Sequence, residues 1–184
     1  MTASDPRRAR DVRLLDIVDA LARKPFEQCV WRVAREGRDP VQGSSSASRW
    51  CNGTFDVLYT SLERDGAIAE VHSLLSAQPV FPSIPSWFAH SLSVSIDKSV
   101  VFANLAELTR FGVEISRYRE RDYRRTQEIA DAAFFLGFDG MLVPSARWSC
   151  LNAVVFTDRV TPEKVFIDQS EATSIKWSER KKSR

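Results

Sequence analysis

The stretch Tyr123–Val143, YRRTQEIADAAFFLGFDGMLV, decides the fold class. At about 100° per residue, Tyr123, Ile129, Ala130, Ala133, Phe134 and Leu136 share one broad side of a helix, and Arg124, Glu128 and Asp131 fall opposite. Gly137 is a natural C-cap for that helix. Strands follow at Gly140–Val143 and at Ala153–Phe156, so helices do not alternate strictly with strands. The pattern argues for a single α+β domain, with mainly antiparallel sheet flanked by helices.

Working outward, the apolar spacing from Val12 to Arg23 reads as an amphipathic helix that Pro25 ends. Cys29–Val33 reads as a strand, followed by a polar loop from Arg38 to Ser48 of a length often tied to function. Asp56–Thr60 is a second strand, and Ser61 to Asp65 offer caps for a helix through Ile68 and Leu75. Pro79, Pro82 and Pro85 space out a loop from Gln78 to Trp87. Ser91–Ile96 alternates with the period of a half-buried strand, and Val100–Phe102 reads as a separate short one. Leu105–Phe111 reads as a short helix and Val165–Ile167 as a last strand. The polar, basic tail from Lys176 to Arg184 is expected to fray.

Composition excludes several classes. The chain has 184 residues, 43% hydrophobic and 27% charged, enough for one domain with its own core. No run approaches the roughly 18 apolar residues of a membrane helix, and the N-terminal residues do not resemble a secretory signal. Lys plus Arg number 26 against 24 Asp plus Glu, which gives no prior for direct nucleic-acid binding. Cys29, Cys51 and Cys150 form no CxxC pair, and His72 and His90 lie near none of them in sequence, so no metal site is expected. A reducing cytoplasm is the expected compartment. GxxxxGK[ST], GxGxxG, GxSxG and HExxH motifs are all absent.

Four polar residues sit where a plain core would not place them. Glu70 lies at the edge of the apolar arc of its helix, about 40° from Leu74. From geometry alone it reads first as a carboxylate reaching solvent, and otherwise as a partly buried charge that needs a partner. Arg49, between a serine-rich loop and Trp50, suits bidentate anion binding or simple stacking on Trp50. Tyr59 ends a strand just before the Glu70 helix, as a rim tyrosine would. Ser145, after the strand at Gly140–Val143, is a ligand donor or a turn residue.

Taken together, the order Arg49, Tyr59, Glu70, Ser145 resembles the RES-domain family. The resemblance runs from about Phe26 to Phe166 through WRVAREGRDP, RWCNGTFDVLYTSLERDGAIAEV, RTQEIADAAFFLGFDGMLVPSARW and LNAVVF. It implies a fold like that of ADP-ribosylating toxins and a layout of an N-terminal helical extension (1–25), an NAD-binding catalytic domain (26–167) and a polar tail (168–184). It also implies a toxin that cleaves the nicotinamide–ribose bond of NAD+ by phosphorolysis or hydrolysis. NAD+ is then a substrate rather than a prosthetic group, with inorganic phosphate as a possible co-substrate. The implied partner is an Xre-like antitoxin, with at least a dimer or a hetero-oligomer as the assembly.

Carried over by position, Glu70, Arg49 and Tyr59 are the catalytic candidates. Arg32, Arg49, Tyr59, Ser145 and Asn152 are the dinucleotide-binding ones. Such a reaction passes through an oxocarbenium-like state, for which Glu70 supplies negative charge. Arg49 and Arg32 would hold the pyrophosphate, and Tyr59 and Ser145 the ribose or phosphate oxygens. Where the family often has GGRW, this chain has Ser46-Ala47-Ser48-Arg49-Trp50, so a glycine that supplied positive φ would be missing. Two other readings stay open: an ADP-ribosyltransferase acting on a macromolecule, with the segment from Gln78 to Pro85 presenting the target, and a degenerate NAD-binding module.

Overall fold

Five strands are hydrogen-bonded into a ring, and most of the candidate residues stand on its outer surface. The computed structural model describes residues 9–82, 85–168 and 172–177. The ring runs β1 (Lys24–Arg35), β2 (Val57–Ser61), β5 (Leu151–Phe156), β4 (Gly140–Pro144) and β3 (Trp87–Val101), and β3 pairs back onto β1. β6 (Val165–Ile167) and β7 (Thr173–Ser174) extend the sheet beside β3. The β3–β4 pair is parallel and the other pairings are antiparallel. Four helices flank the sheet among the described residues: α1 (Val12–Asp19), α2 (Arg64–Ser76), α3 (Leu105–Thr109) and α4 (Arg124–Phe135).

The registers explain how the two sheet faces are filled. Leu58 pairs Val155, Leu142 pairs Ala153, Val30 pairs Leu92 and Phe26 pairs Ile96, and these residues form one apolar cluster. Residues of the opposite parity on β2, β4 and β5, Val57, Met141, Val143, Val154 and Phe156, meet Ile129, Ala130 and Ala133 of α4 and Leu14 and Val18 of α1. Burying a side chain such as Val18, with no exposed surface, stabilises by roughly 1.5–3 kcal/mol. Arg10, just before α1, donates from Nε to Asp131 Oδ2 of α4 at 2.6 Å, fixing that contact at its rim. A third cluster lays Ala67 and Ile68 of α2 on Val33, Ala89 and Ile175.

Two departures from the sequence reading have physical causes. The two strands expected at Ser91–Ile96 and Val100–Phe102 are one strand of 15 residues. Lys24 pairs Ser99 and Phe26 pairs Ile96, so β3 carries one more residue than β1 across this interval. Such a bulge flips the alternation, which is why the pattern reads as a break. Asp139 stabilises it, its Oδ2 accepting from the backbone N–H groups of Asp97 and Lys98 at 3.2 and 2.9 Å. On the facing strand Pro25 sits inside β1 at this irregularity, where its lack of an N–H does no harm. Accordingly α1 ends at Asp19, earlier than Arg23. Most of the tail expected to fray lies outside the described residues.

Candidate active site

Glu70, Ser145, Asn152 and Tyr59 converge on the outer surface of the ring. Register puts Tyr59 opposite Val154 and Asn152 opposite both Ser61 and Val143, so β2, β4 and β5 share this surface. α2 follows β2 after a two-residue turn and runs back across it. Gly66 makes that close approach possible: a Cβ there would overlap Ser61 Oγ and come within 2.5 Å of Cys150 Sγ. Glu70 stands one turn further along and points into the cluster, so the buried-charge reading of its helix-edge position is the one realised.

The carboxylate is held by two donors on one oxygen. Ser145 Oγ donates to Glu70 Oε1 at 2.7 Å, and Asn152 Nδ2 donates to the same atom at 2.9 Å. Ser145 Oγ in turn accepts from the backbone N–H groups of Arg147 and Trp148, both at 3.1 Å. Its lone pairs are thus engaged and its proton is left for the carboxylate. Asn152 is fully buried, and its second amide hydrogen goes to the Tyr59 hydroxyl at 3.2 Å. The phenolic proton of Tyr59 therefore remains free to donate. Burial of the hydroxyl, reinforced by the negative charge of Glu70, pushes the Tyr59 pKa well above the ordinary phenol value, so it acts as a neutral donor. Asn152 Oδ1 is buried and without a partner, an expensive arrangement and an available acceptor.

Arg49 reaches the same region from the loop before β2. It is 7% exposed, yet makes no ion pair among the described residues. Its guanidinium lies between two aromatic faces, 4.6 Å from the Tyr118 ring centroid and 4.7 Å from that of Tyr123, and donates to the Glu120 carbonyl at 3.2 Å. Stacking fixes its plane and leaves further N–H donors uncommitted. Gln127 of α4 sets the loop's position, donating from Nε2 to the carbonyls of Ser48 and Cys51 at 2.8 and 3.1 Å. Among the described residues only glycines have positive φ, and the left-handed residues between β1 and β2 are Gly37 at φ 77° and Gly53 at φ 91°. Ser48 therefore occupies backbone that any residue adopts, and its place needs no glycine on that ground.

Arg32 is not brought to the cluster. Its neighbour Trp31 pairs Ser61, so by alternation Arg32 faces away from the Glu70 side. Its Nη1 donates to the carbonyls of Pro40 and Gln42 at 2.9 and 2.7 Å, bracing the start of the polar loop. Burial lowers its pKa against the opposing pull of Asp39. Sequence reasoning misses Tyr118, Tyr123 and Gln127. Tyr118 also ties the two halves of the site together, donating from its hydroxyl to the carbonyl of Pro144, next to Ser145, at 2.7 Å. The only available signal is the aromatic pair flanking a charged segment, and that pattern is common on ordinary surfaces.

An α+β domain with a clamped carboxylate and a stacked, unpaired arginine on one face of a strand ring is the class of protein that fold and site define. The chain belongs to the RES-domain family, whose model matches residues 29–178. Among solved structures, one chain of the M. tuberculosis MbcT–MbcA toxin–antitoxin complex aligns with a TM-score of 0.79 at 20% identity, covering 94% of this chain and 97% of that one. Such a likeness shows a shared fold. No curated protein matches the sequence.

Proposed function

We propose that this protein is the toxin of a toxin–antitoxin pair and that it cleaves the nicotinamide–ribose bond of NAD+. Membership of the RES-domain family and the fold shared with a chain of a toxin–antitoxin complex support the toxin reading. The observation that carries the chemistry is Glu70, held on Oε1 by Ser145 and Asn152 with no cation beside it among the described residues. Nicotinamide leaves with the electron pair of the bond to the ribose anomeric carbon and becomes neutral, so it needs no acid. The positive charge passes to the ribose ring. A carboxylate fixed beforehand stabilises it without reorganisation. Tyr59, a neutral donor, serves a ribose hydroxyl, and Arg49 offers its free N–H groups to the diphosphate. Water or phosphate then bonds to the anomeric carbon and releases its proton. The partner we propose is an Xre-like antitoxin, which supplies the DNA contact.

The test is to incubate the purified protein with NAD+ labelled in the adenylate half, with and without inorganic phosphate. Free nicotinamide in either buffer supports cleavage. Phosphate-dependent release identifies phosphorolysis, and phosphate-independent release identifies hydrolysis. Label on a macromolecule identifies ADP-ribosyl transfer. No nicotinamide from folded protein overturns the reading.

A further inference from the structure

A cleft of about 560 Å³ opens beside Ser145. Tyr118 and Ser145 form its inner wall, and these two residues touch Arg49 and Glu70 respectively. The cleft is therefore contiguous with the candidate reaction centre. Its outer lining includes Arg119, Arg147, Trp148 and Ile115. Arg117, on the same segment, is neutralised by Glu114 and Glu120. Arg119 and Arg147 have no carboxylate within ion-pair distance among the described residues, so two positive charges face this space uncompensated. Arg147 Nη2 donates to the Arg119 carbonyl at 2.8 Å, which joins the two walls. Trp148 is 44% exposed and yet fixed, because its indole Nε1 donates to Glu63 Oε2 at 3.0 Å. An indole held by its edge keeps its faces available for stacking.

A clamped aromatic plane beside two guanidiniums that have no carboxylate partner among the described residues, in a cleft of small-molecule size, fits an aromatic base carrying a phosphate. We propose that this cleft binds the adenylate half of the dinucleotide, with Trp148 stacking on the base and Arg147 and Arg119 on its phosphate. The assignment rests on the NAD+ reading for the identity of the whole substrate. It makes Trp148 and Arg147 determinants of substrate size: they recognise the dinucleotide and are indifferent to a mononucleotide that bears only the nicotinamide.

The test is calorimetric binding of AMP and of nicotinamide mononucleotide to the wild-type protein and to Trp148→Ala and Arg147→Gln, each checked by thermal melt. Wild type is expected to bind AMP in competition with NAD+. Each variant should weaken AMP about ten-fold and leave nicotinamide mononucleotide within about two-fold. The proposal is overturned if AMP fails to bind wild type, if both variants bind it unchanged, or if both ligands are lost equally. AMP binding that depends on Trp148 in a protein releasing no nicotinamide would keep the cleft as a nucleotide site while the cleavage reading fails. Nicotinamide release with AMP binding indifferent to both variants would do the reverse.

Discussion

Replacing Asn152 by Ala probes the arrangement that makes Glu70 useful. The amide donates to Glu70 Oε1 at 2.9 Å and to the Tyr59 hydroxyl at 3.2 Å. A bond to a charged acceptor contributes roughly 1.5–3 kcal/mol and a neutral one roughly 0.5–1.5 kcal/mol. Against this, the Asn152 carbonyl oxygen is buried without a partner, and its removal relieves roughly 1–3 kcal/mol. The net loss of stability is therefore only about 1–2 kcal/mol, a fall in Tm of roughly 3–6 °C for a chain of this size. The coupling is larger than that balance suggests. In a double-mutant cycle of Asn152→Ala with Glu70→Ala, measured by urea unfolding, the interaction energy should be about 2 kcal/mol, because the orphaned oxygen cancels between the two arms. Turnover should fall far more than stability, since a carboxylate held by Ser145 alone is free to swing. A coupling energy below about 0.5 kcal/mol would refute the view that Asn152 fixes the carboxylate.

Other perturbations follow from the same geometry. Gly66→Ala forces a Cβ against Ser61 and Cys150 and lifts α2 one turn before Glu70; stability should drop by about 1–3 kcal/mol and NAD+ cleavage at least ten-fold, and a silent substitution would contradict the tight approach. Burial raises the pKa of Tyr59 and of Tyr118, so the unfolded chain loses these protons near pH 10 while the folded chain retains them. Stability from these groups is thus complete below about pH 10 and declines as pH rises beyond it, and Tyr59→Phe should flatten the decline seen in urea midpoints. Ser48→Gly should leave turnover within about three-fold of wild type, because the backbone at Ser48 does not need glycine; a large gain would show that its Cβ obstructs the ligand.

Much of this architecture is legible in the sequence, and the exceptions are instructive. The helices α1 and α4 announce themselves because each covers an apolar face with a 3.6-residue period, whereas α2 does not: Leu74, on its expected apolar arc, is exposed and Leu75 is buried instead. The strand ring does not, because closure depends on β1 meeting both β2 and β3, and pairings so distant leave no local trace. The bulge at Asp97–Ser99 inverts the alternation of β3, so a local pattern divides a continuous strand. Glu70, Tyr59, Ser145 and Asn152 are all candidates on sequence alone, and the structure joins them in one hydrogen-bonded cluster. Arg32 is a candidate too and stands on the other side of its strand, since strand alternation is readable only once a pairing partner is known. Tyr118 escapes a sequence reading because its ring under Arg49 and its bond to Pro144 are contacts across the fold. Serine at position 48 in place of glycine reads in the sequence as a possible defect, yet φ there is ordinary and the left-handed turn falls at Gly53.

The most direct measurement is a side-by-side time course of NAD+ consumption by wild type and Glu70→Gln, followed by nicotinamide release. The substituted side chain keeps an oxygen for Ser145 and Asn152 and loses only the charge. Wild type should release nicotinamide, and the variant should melt within about 3 °C of it while turning over at least about a hundred-fold more slowly, a difference of about 2.7 kcal/mol in barrier. Equal rates from both proteins would contradict a role for the Glu70 charge, and no release by wild type would remove NAD+ as the substrate.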